Sequence, residues 1–159
     1  MQMSEKGLKL LKKHEGLRLR AYDDLRPGDR LSPGDPVVGT VTVGYGHVRT
    51  AYVGQEITEA AALELLKEDL RRFENGVHAL TDHMELEQHE FDALVSFAFN
   101  VGLGALEQST LLAKLLQGDR RGAAEEFGRW VYSKGRKLEG LVRRRLDERD
   151  RFLGLAVAC

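Results

Sequence analysis

All three prolines of this 159-residue chain, Pro27, Pro33 and Pro36, fall inside one ten-residue window. Proline removes a backbone donor and crowds the preceding helical turn. The irregular part of the fold is therefore expected in that neighbourhood, leaving the rest free for helix. Glycine marks the same region: Gly28, Gly34, Gly39, Gly44 and Gly46 punctuate Leu17 to Val48, and between them runs Val37-Val38-Gly39-Thr40-Val41-Thr42-Val43. A β-branched run bounded by turn residues predicts a short antiparallel sheet.

On either side the pattern is helical. Ser4 is a candidate cap for a first helix that carries Leu8, Leu10 and Leu11, is weakened by Gly7, and ends near Gly16. After Thr58, a second candidate cap, Ala62, Leu65, Leu66 and Leu70 share a face through about Phe73. Further helices are predicted from Glu87 through Phe91, Leu94, Val95 and Ala98 to a stop near Asn100-Val101-Gly102, from Ser109 to Gln117 before Gly118-Asp119, from about Arg121 to Trp130, and from about Leu141 to Phe152. No repeat or linker divides the chain. The expectation is one α+β domain over 1–159: an N-terminal helix, a small antiparallel β-lobe at about 17–48, and a larger helical bundle at about 58–154, with a cleft where the lobes meet.

Hydrophobic residues make up 42% and charged residues 31%, a globular balance, and the net charge of -1 with no recognised binding motif argues against a nucleic-acid partner. The charge is uneven. Glu56–Asp92 holds eleven acidic and three basic residues, and Arg136–Phe152 holds seven basic and four acidic. Solvated helix faces explain this, and so does steering of a polyanion. With Cys159 as the only cysteine, no intramolecular disulfide forms. No His/Cys cluster has metal-ligand spacing, so neither metal nor cofactor is expected. Met1–Glu15 carries Lys6, Lys9, Lys12 and Lys13 without an apolar run, which does not read as a signal peptide. Nor does any stretch reach the roughly 18 apolar residues of a membrane span. The expected place of folding is a cytoplasm.

Two carboxylates draw attention as chemistry. Cutting a glycosidic bond takes one carboxyl group that protonates the leaving oxygen and a second that stabilises charge, activates water or attacks. The acid works best in an apolar, partly buried setting. Glu15 closes the leucine-bearing first helix where helix gives way to sheet, and Asp24 follows after eight intervening residues. Spacing alone leaves open that both are ordinary surface groups.

The surrounding residues make the pair specific. Glu15-Gly16-Leu17-Arg18-Leu19-Arg20-Ala21-Tyr22-Asp23-Asp24 resembles the opening of phage-type lysozymes, glycoside hydrolase family twenty-four, and Thr42-Val43-Gly44-Tyr45-Gly46-His47 resembles that family's second block. Phe97-Ala98-Phe99-Asn100-Val101-Gly102, Ser109-Thr110-Leu111-Leu112, Trp130-Val131-Tyr132 and Gly140-Leu141-Val142-Arg143-Arg144-Arg145 are similar to later family segments in the same order, so the likeness runs from about Ser4 to Gly154. The resemblance implies an endolysin, a muramidase cutting the β-1,4 bond between N-acetylmuramic acid and N-acetylglucosamine in bacterial peptidoglycan. Its fold would be lysozyme-like and it would act as a monomer. It would be held in the host cytoplasm until a separate holin-type membrane protein lets it reach the wall. Position by position it makes Glu15 the general acid, Asp24 the second carboxylate and Thr42 the hydroxyl that positions water or the Asp.

One departure bears on the site. Seventeen residues separate Asp24 from Thr42, many more than in short family members, and Asp35-Pro36-Val37-Val38-Gly39 imitates wording seen at the catalytic Asp of some members. Asp24 keeps the spacing from Glu15, and a loop insertion costs little closure entropy, so Asp24 is the preferred carboxylate and Asp35 the alternative. Tyr45, Gly46, His47 and Asn100 are candidate substrate-binding residues. Each has a plain alternative: packing for Tyr45, a turn for Gly46, a structural brace with Asp69 for His47, a helix cap for Asn100. Trp130 reads as core rather than sugar platform. Rival readings are a lytic transglycosylase acting on the same bond with a single Glu, a chitin-cutting relative, and a non-enzymatic membrane-active protein using the basic Arg143-Arg144-Arg145 helix.

Overall fold

The structure, a computed structural model, describes residues 1–157; Cys159 lies outside them. Its order is α1 (Glu5–Glu15), β1 (Arg18–Asp23), β2 (Val41–Gly44), α2 (Glu59–Leu80), α3 (Gln88–Val101), α4 (Leu103–Glu107), α5 (Thr110–Leu116), α6 (Arg120–Glu126), a 3-10 turn (Phe127–Arg129), β3 (Tyr132–Ser133), β4 (Arg136–Lys137) and α7 (Glu139–Phe152). The chain divides into two compact units, Glu15–Arg71 and Met1–His14 with the segment from Arg72 onward.

In the Glu15–Arg71 unit, β1 and β2 pair antiparallel with Tyr22 opposite Thr42 and Asp23 opposite Val41, and a bulge separates these pairs from Arg18–Gly44. Only the end of the β-branched run is strand. Val38 N and Gly39 N donate instead to the Asp23 carboxylate, at 2.7 and 2.9 Å, so the backbone there leaves the ladder. Thr58 caps α2 as expected, its hydroxyl accepting Ala61 N at 3.1 Å. Ala62, Leu66 and Leu70 are buried at helical spacing, together with Ala21, Leu31, Val43 and Tyr45.

The other unit is built around α3, whose residues from Glu90 to Ala98 are all buried. The expected Ser4 cap is present, and Glu87, Ser109 and Asp119 add caps of their own. Ser4 Oγ accepts Gly7 N, Glu87 and Glu90 form a capping box, Ser109 Oγ accepts Leu112 N, and Asp119 accepts Gly122 N. Each satisfies donors that the first helical turn leaves free. Phe97 meets Phe127 and Trp130 edge-on at 5.4 and 5.3 Å between ring centroids, so the tryptophan packs. Three features depart from the expected pattern. α2 continues past Phe73 because Val77 is fully buried, and a Cβ at Gly76 would lie 2.5 Å from Leu103 side-chain atoms. α4 adds one short helix after Gly102. Between the 3-10 turn and α7, β3 and β4 form a hairpin (Tyr132 opposite Lys137) around a two-residue Lys134-Gly135 turn in which both residues have positive φ, the turn geometry that matches strand twist.

α7 carries the largest correction to a sequence expectation. Arg144 and Arg145 are 4% and 1% exposed, and Glu148 beside them is fully buried. Arg144 Nε donates to Glu148 Oε2 at 3.1 Å and Nη2 to Ser96 O at 3.0 Å. Arg145 donates to Glu148 Oε1, to Asn100 Oδ1 and, at 2.9 Å, to Trp130 O. Buried charges persist only when paired and hydrogen-bonded. Two of the three arginines thus serve the interior, and a membrane-seeking cationic face cannot be built on them. Similarly, fully buried Asp92 accepts Arg151 Nη2 at 2.6 Å and Ser4 N at 2.9 Å, joining α1, α3 and α7.

Candidate active site

Glu15, Asp24, Thr42, Tyr45, Gly46 and His47 all fall in the Glu15–Arg71 unit. Glu15 is half-buried at the last position of α1. Gly46 is exposed, and a Cβ built on it would lie 3.8 Å from Glu15 Oε2, so bare backbone faces the carboxylate.

The Asp23-Asp24 doublet at the end of β1 is split into two roles. Asp23 is buried and its carboxylate accepts three backbone donors, Val38 N at 2.7 Å, Gly39 N at 2.9 Å and Leu25 N at 3.0 Å. The Val38 hydrogen bond is the main cause that holds its pKa below the ordinary carboxylate value. The other two donors and the nearby Arg26 charge act the same way, against desolvation. Asp24 is exposed and accepts one, from Thr40 N at 2.7 Å. One residue of the pair clamps the loop and the other presents a carboxylate to solvent.

Thr40 joins Asp24 to Thr42. Its carbonyl accepts Asp24 N at 3.1 Å and the Thr42 hydroxyl at 3.1 Å, while its own N–H holds Asp24 Oδ1. Gly39 makes room for this arrangement: a Cβ there would collide with Asp24 Oδ1 and lie 2.7 Å from Leu25 Cγ. Sequence reading singled out Thr42 but missed Asp23, Gly39 and Thr40. The only available signal was an Asp-Asp doublet preceding an insertion rich in backbone donors. Asp35 is used locally, accepting Ser32 N at 2.9 Å in the turn around Pro33, and it lines a hollow of about 160 Å³ with Asp23, Arg26 and Leu31.

The remaining candidates separate. His47 is buried with both ring nitrogens engaged, Nδ1 2.8 Å from Asp69 and Nε2 2.6 Å from the Thr50 hydroxyl, so the brace with Asp69 is present and no ring nitrogen is left for a sugar. Tyr45 is also buried, and that burial, followed by the Glu59 charge, pushes its phenol above the ordinary value. Asn100 lies in the other unit, exposed in the last turn of α3, with its side-chain oxygen taken by Arg145; Gly102, not Asn100, is the C-cap. A hollow of about 650 Å³ in that unit, between the 3-10 turn, the β3–β4 hairpin and α7, is lined by none of these candidates. Among the described residues no group of three or more His, Cys, Asp or Glu side chains is placed to hold a metal ion, and no helix is long and apolar enough to cross a membrane.

The phage lysozyme family profile matches residues 12–148, which include Glu15, Asp24 and Thr42. The chain belongs to the phage lysozyme family. It is 43% identical to the endolysin of Bacillus phage B103 over 96% of its own length and 54% of that protein's. It is 37% identical to the endolysin of Salmonella phage P22 over 96% of its own length and 99% of the other's. The chain thus spans about half the length of the Bacillus phage relatives it matches. The solved endolysin from Escherichia coli O157:H7 phage FAHEc1 shares the fold with a TM-score of 0.84, at 34% identity, covering 100% of this chain and 98% of that one. A phage lysozyme fold, mixed helix with a small antiparallel sheet, is therefore the fold of this chain.

Proposed function

We propose that this chain is an endolysin muramidase that hydrolyses the β-1,4 bond between N-acetylmuramic acid and N-acetylglucosamine in bacterial peptidoglycan. The observation that carries the reading is the division of the Asp23-Asp24 doublet: one carboxylate is consumed by three backbone donors, while its neighbour is exposed and oriented through Thr40, next to Thr42, at the family spacing from Glu15. Glu15 is the general acid that protonates the leaving oxygen. Asp24 is the second carboxylate, which stabilises the developing oxocarbenium charge or acts on water. Thr42 holds that water or Asp24 through its hydroxyl. Gly46 offers bare backbone to the sugar beside Glu15. His47 and Tyr45 brace the unit from within, and Asn100 serves α3 and α7. The eight-residue gap from Glu15 favours Asp24 over Asp35.

The test is release of reducing ends from purified peptidoglycan. Glu15→Gln and Asp24→Asn are expected to lose at least about 100-fold, the usual weight of a general acid or its partner, and Asp35→Asn to stay near wild type. Loss on Asp35→Asn alone moves the second carboxylate to Asp35. Anhydro ends in place of reducing ends make the enzyme a lytic transglycosylase. The same reading has the protein acting as a monomer, retained in the host cytoplasm until a holin-type partner opens the membrane. Cells expressing it alone are then expected to lyse only once the membrane is permeabilised, and spontaneous lysis refutes that part.

A further inference from the structure

The apolar hold on α1 ends one turn before Glu15. The buried residues of this helix are Gly7, Leu8, Leu10 and Leu11. Beyond Glu15 comes Gly16, at φ 71°, where a Cβ would meet nothing within 4 Å, so no side-chain grip is added there. The last turn of a helix lacks partners for its carbonyls and frays readily. In α1 that turn is fastened by polar contacts instead. His14 Nε2 lies 2.7 Å and Lys13 Nζ 2.8 Å from the same atom, Oδ2 of Asp147 in α7. The two side chains leave the helix about 100° apart and converge on one oxygen. A hold of this shape fixes the rotation of the turn about its axis as well as its distance from α7. The His14 and Asp147 side chains are 10% and 17% exposed, so their bond is shielded from competing water, and Lys13, at 37%, makes the outer one.

We infer that His14, through Asp147, is a positioning residue for Glu15, setting the rotation of the last turn of α1 and with it the place of the general acid; this rests on the muramidase reading above. Glu15 is the next residue of the same helix. A carboxylate about 6 Å from a helix axis moves about 1 Å for each 10° of rotation. A misplacement of about 1 Å at a reacting group costs up to roughly 100-fold in rate. The hold needs an N–H aimed at Asp147 and not a charge, because the imidazole donates from Nε2 whether or not its other nitrogen carries a proton. A neutral donor of similar reach therefore replaces His14, and a neutral acceptor replaces Asp147.

The experiment compares kcat and KM on purified peptidoglycan for wild type, His14→Ala, His14→Gln, Asp147→Ala, Asp147→Asn and the double alanine variant, each assayed well below its thermal midpoint. Each single alanine variant is expected to lose about tenfold in kcat with KM within about twofold, the pattern of lost positioning in the transition state and not of lost substrate binding. The amide variants, which keep a donor or an acceptor in place, are expected within about threefold of wild type. The double alanine variant should lose no more than either single one, as for two partners in one contact. Unchanged kcat in both alanine variants overturns the inference. So does an equal loss in His14→Gln and His14→Ala, which means that the ring itself and not its hold on Asp147 matters to Glu15. A loss that only follows a fall in the folded fraction, read by circular dichroism, overturns it as well. Wild type that releases no reducing ends is a different result: it removes the muramidase reading, and this inference with it.

Discussion

Replacing Glu148 by Gln removes the carboxylate that two buried guanidiniums share. The carboxylate is fully buried; Oε2 accepts Ser96 Oγ at 2.5 Å and Arg144 Nε at 3.1 Å, while Oε1 accepts Arg145. The Gln side chain has nearly the same volume, so packing is kept and the change is electrostatic. It converts one acceptor oxygen into a donor that faces donors, and leaves Arg144 and Arg145 without their carboxylate. Removing one partner of a buried ion pair costs roughly 3–5 kcal/mol, against a total stability of about 5–15 kcal/mol for a domain. With a urea slope of about 1–3 kcal/mol/M, the midpoint should fall by about 2 M, read by far-ultraviolet circular dichroism. If the cost is the stranded charge, adding Arg144→Met to Glu148→Gln should recover about 1 kcal/mol or more, giving a coupling energy in a double-mutant cycle of the size seen for residues in contact. A loss under about 1 kcal/mol for Glu148→Gln, or no recovery in the double variant, would refute the claim that this triad is a paired interior charge cluster.

Asp23→Asn should destabilise the Glu15–Arg71 unit at neutral pH. The lowered folded-state pKa of Asp23 means its contribution is present above the ordinary value of 3.8 and is lost as pH falls through the lower folded value. The difference between wild type and variant in thermal midpoint should therefore shrink on acidification below about pH 4, and a gap constant with pH would contradict the backbone clamp. Asp69→Asn removes the charge from the hydrogen bond to buried His47 and should cost about 1.5–3 kcal/mol by denaturant titration; a neutral result would mean the brace carries no stability. Gly76→Ala forces a methyl onto Leu103 and should cost about 1–3 kcal/mol by overpacking. Gly104→Ala, where a Cβ meets nothing within 4 Å, should be neutral or stabilising by roughly 0.4–1 kcal/mol. Thermal unfolding of the two side by side separates close approach from general intolerance of substitution at glycine.

What the sequence by itself determined is whatever depends on neighbours along the chain. Ser4, Thr58 and Ser109 announce helix starts because a capping hydroxyl reaches only its own first turn. The prolines and glycines confine the irregular segment to the region before Thr42, and the ordered motifs from Glu15 to Arg145 place the chain in its family. The His47–Asp69 brace was also within reach, since one helix period sets Asp69 relative to the buried leucines of α2. The tertiary structure decided what depends on partners distant in sequence and on access to water. Asp23 and Asp24 are indistinguishable as letters. Only the return of Val38 and Gly39 to the end of β1 makes the first a clamp and leaves the second exposed. Arg143-Arg144-Arg145 reads as a cationic face until Ser96, Asn100, Trp130 and Glu148 gather around two of its members. The helical face after Thr58 reads only through about Phe73 until Val77 is buried and Leu103 packs on Gly76. In each case the deciding energy is the desolvation of a polar group or the filling of a gap, and neither exists until remote segments have come together.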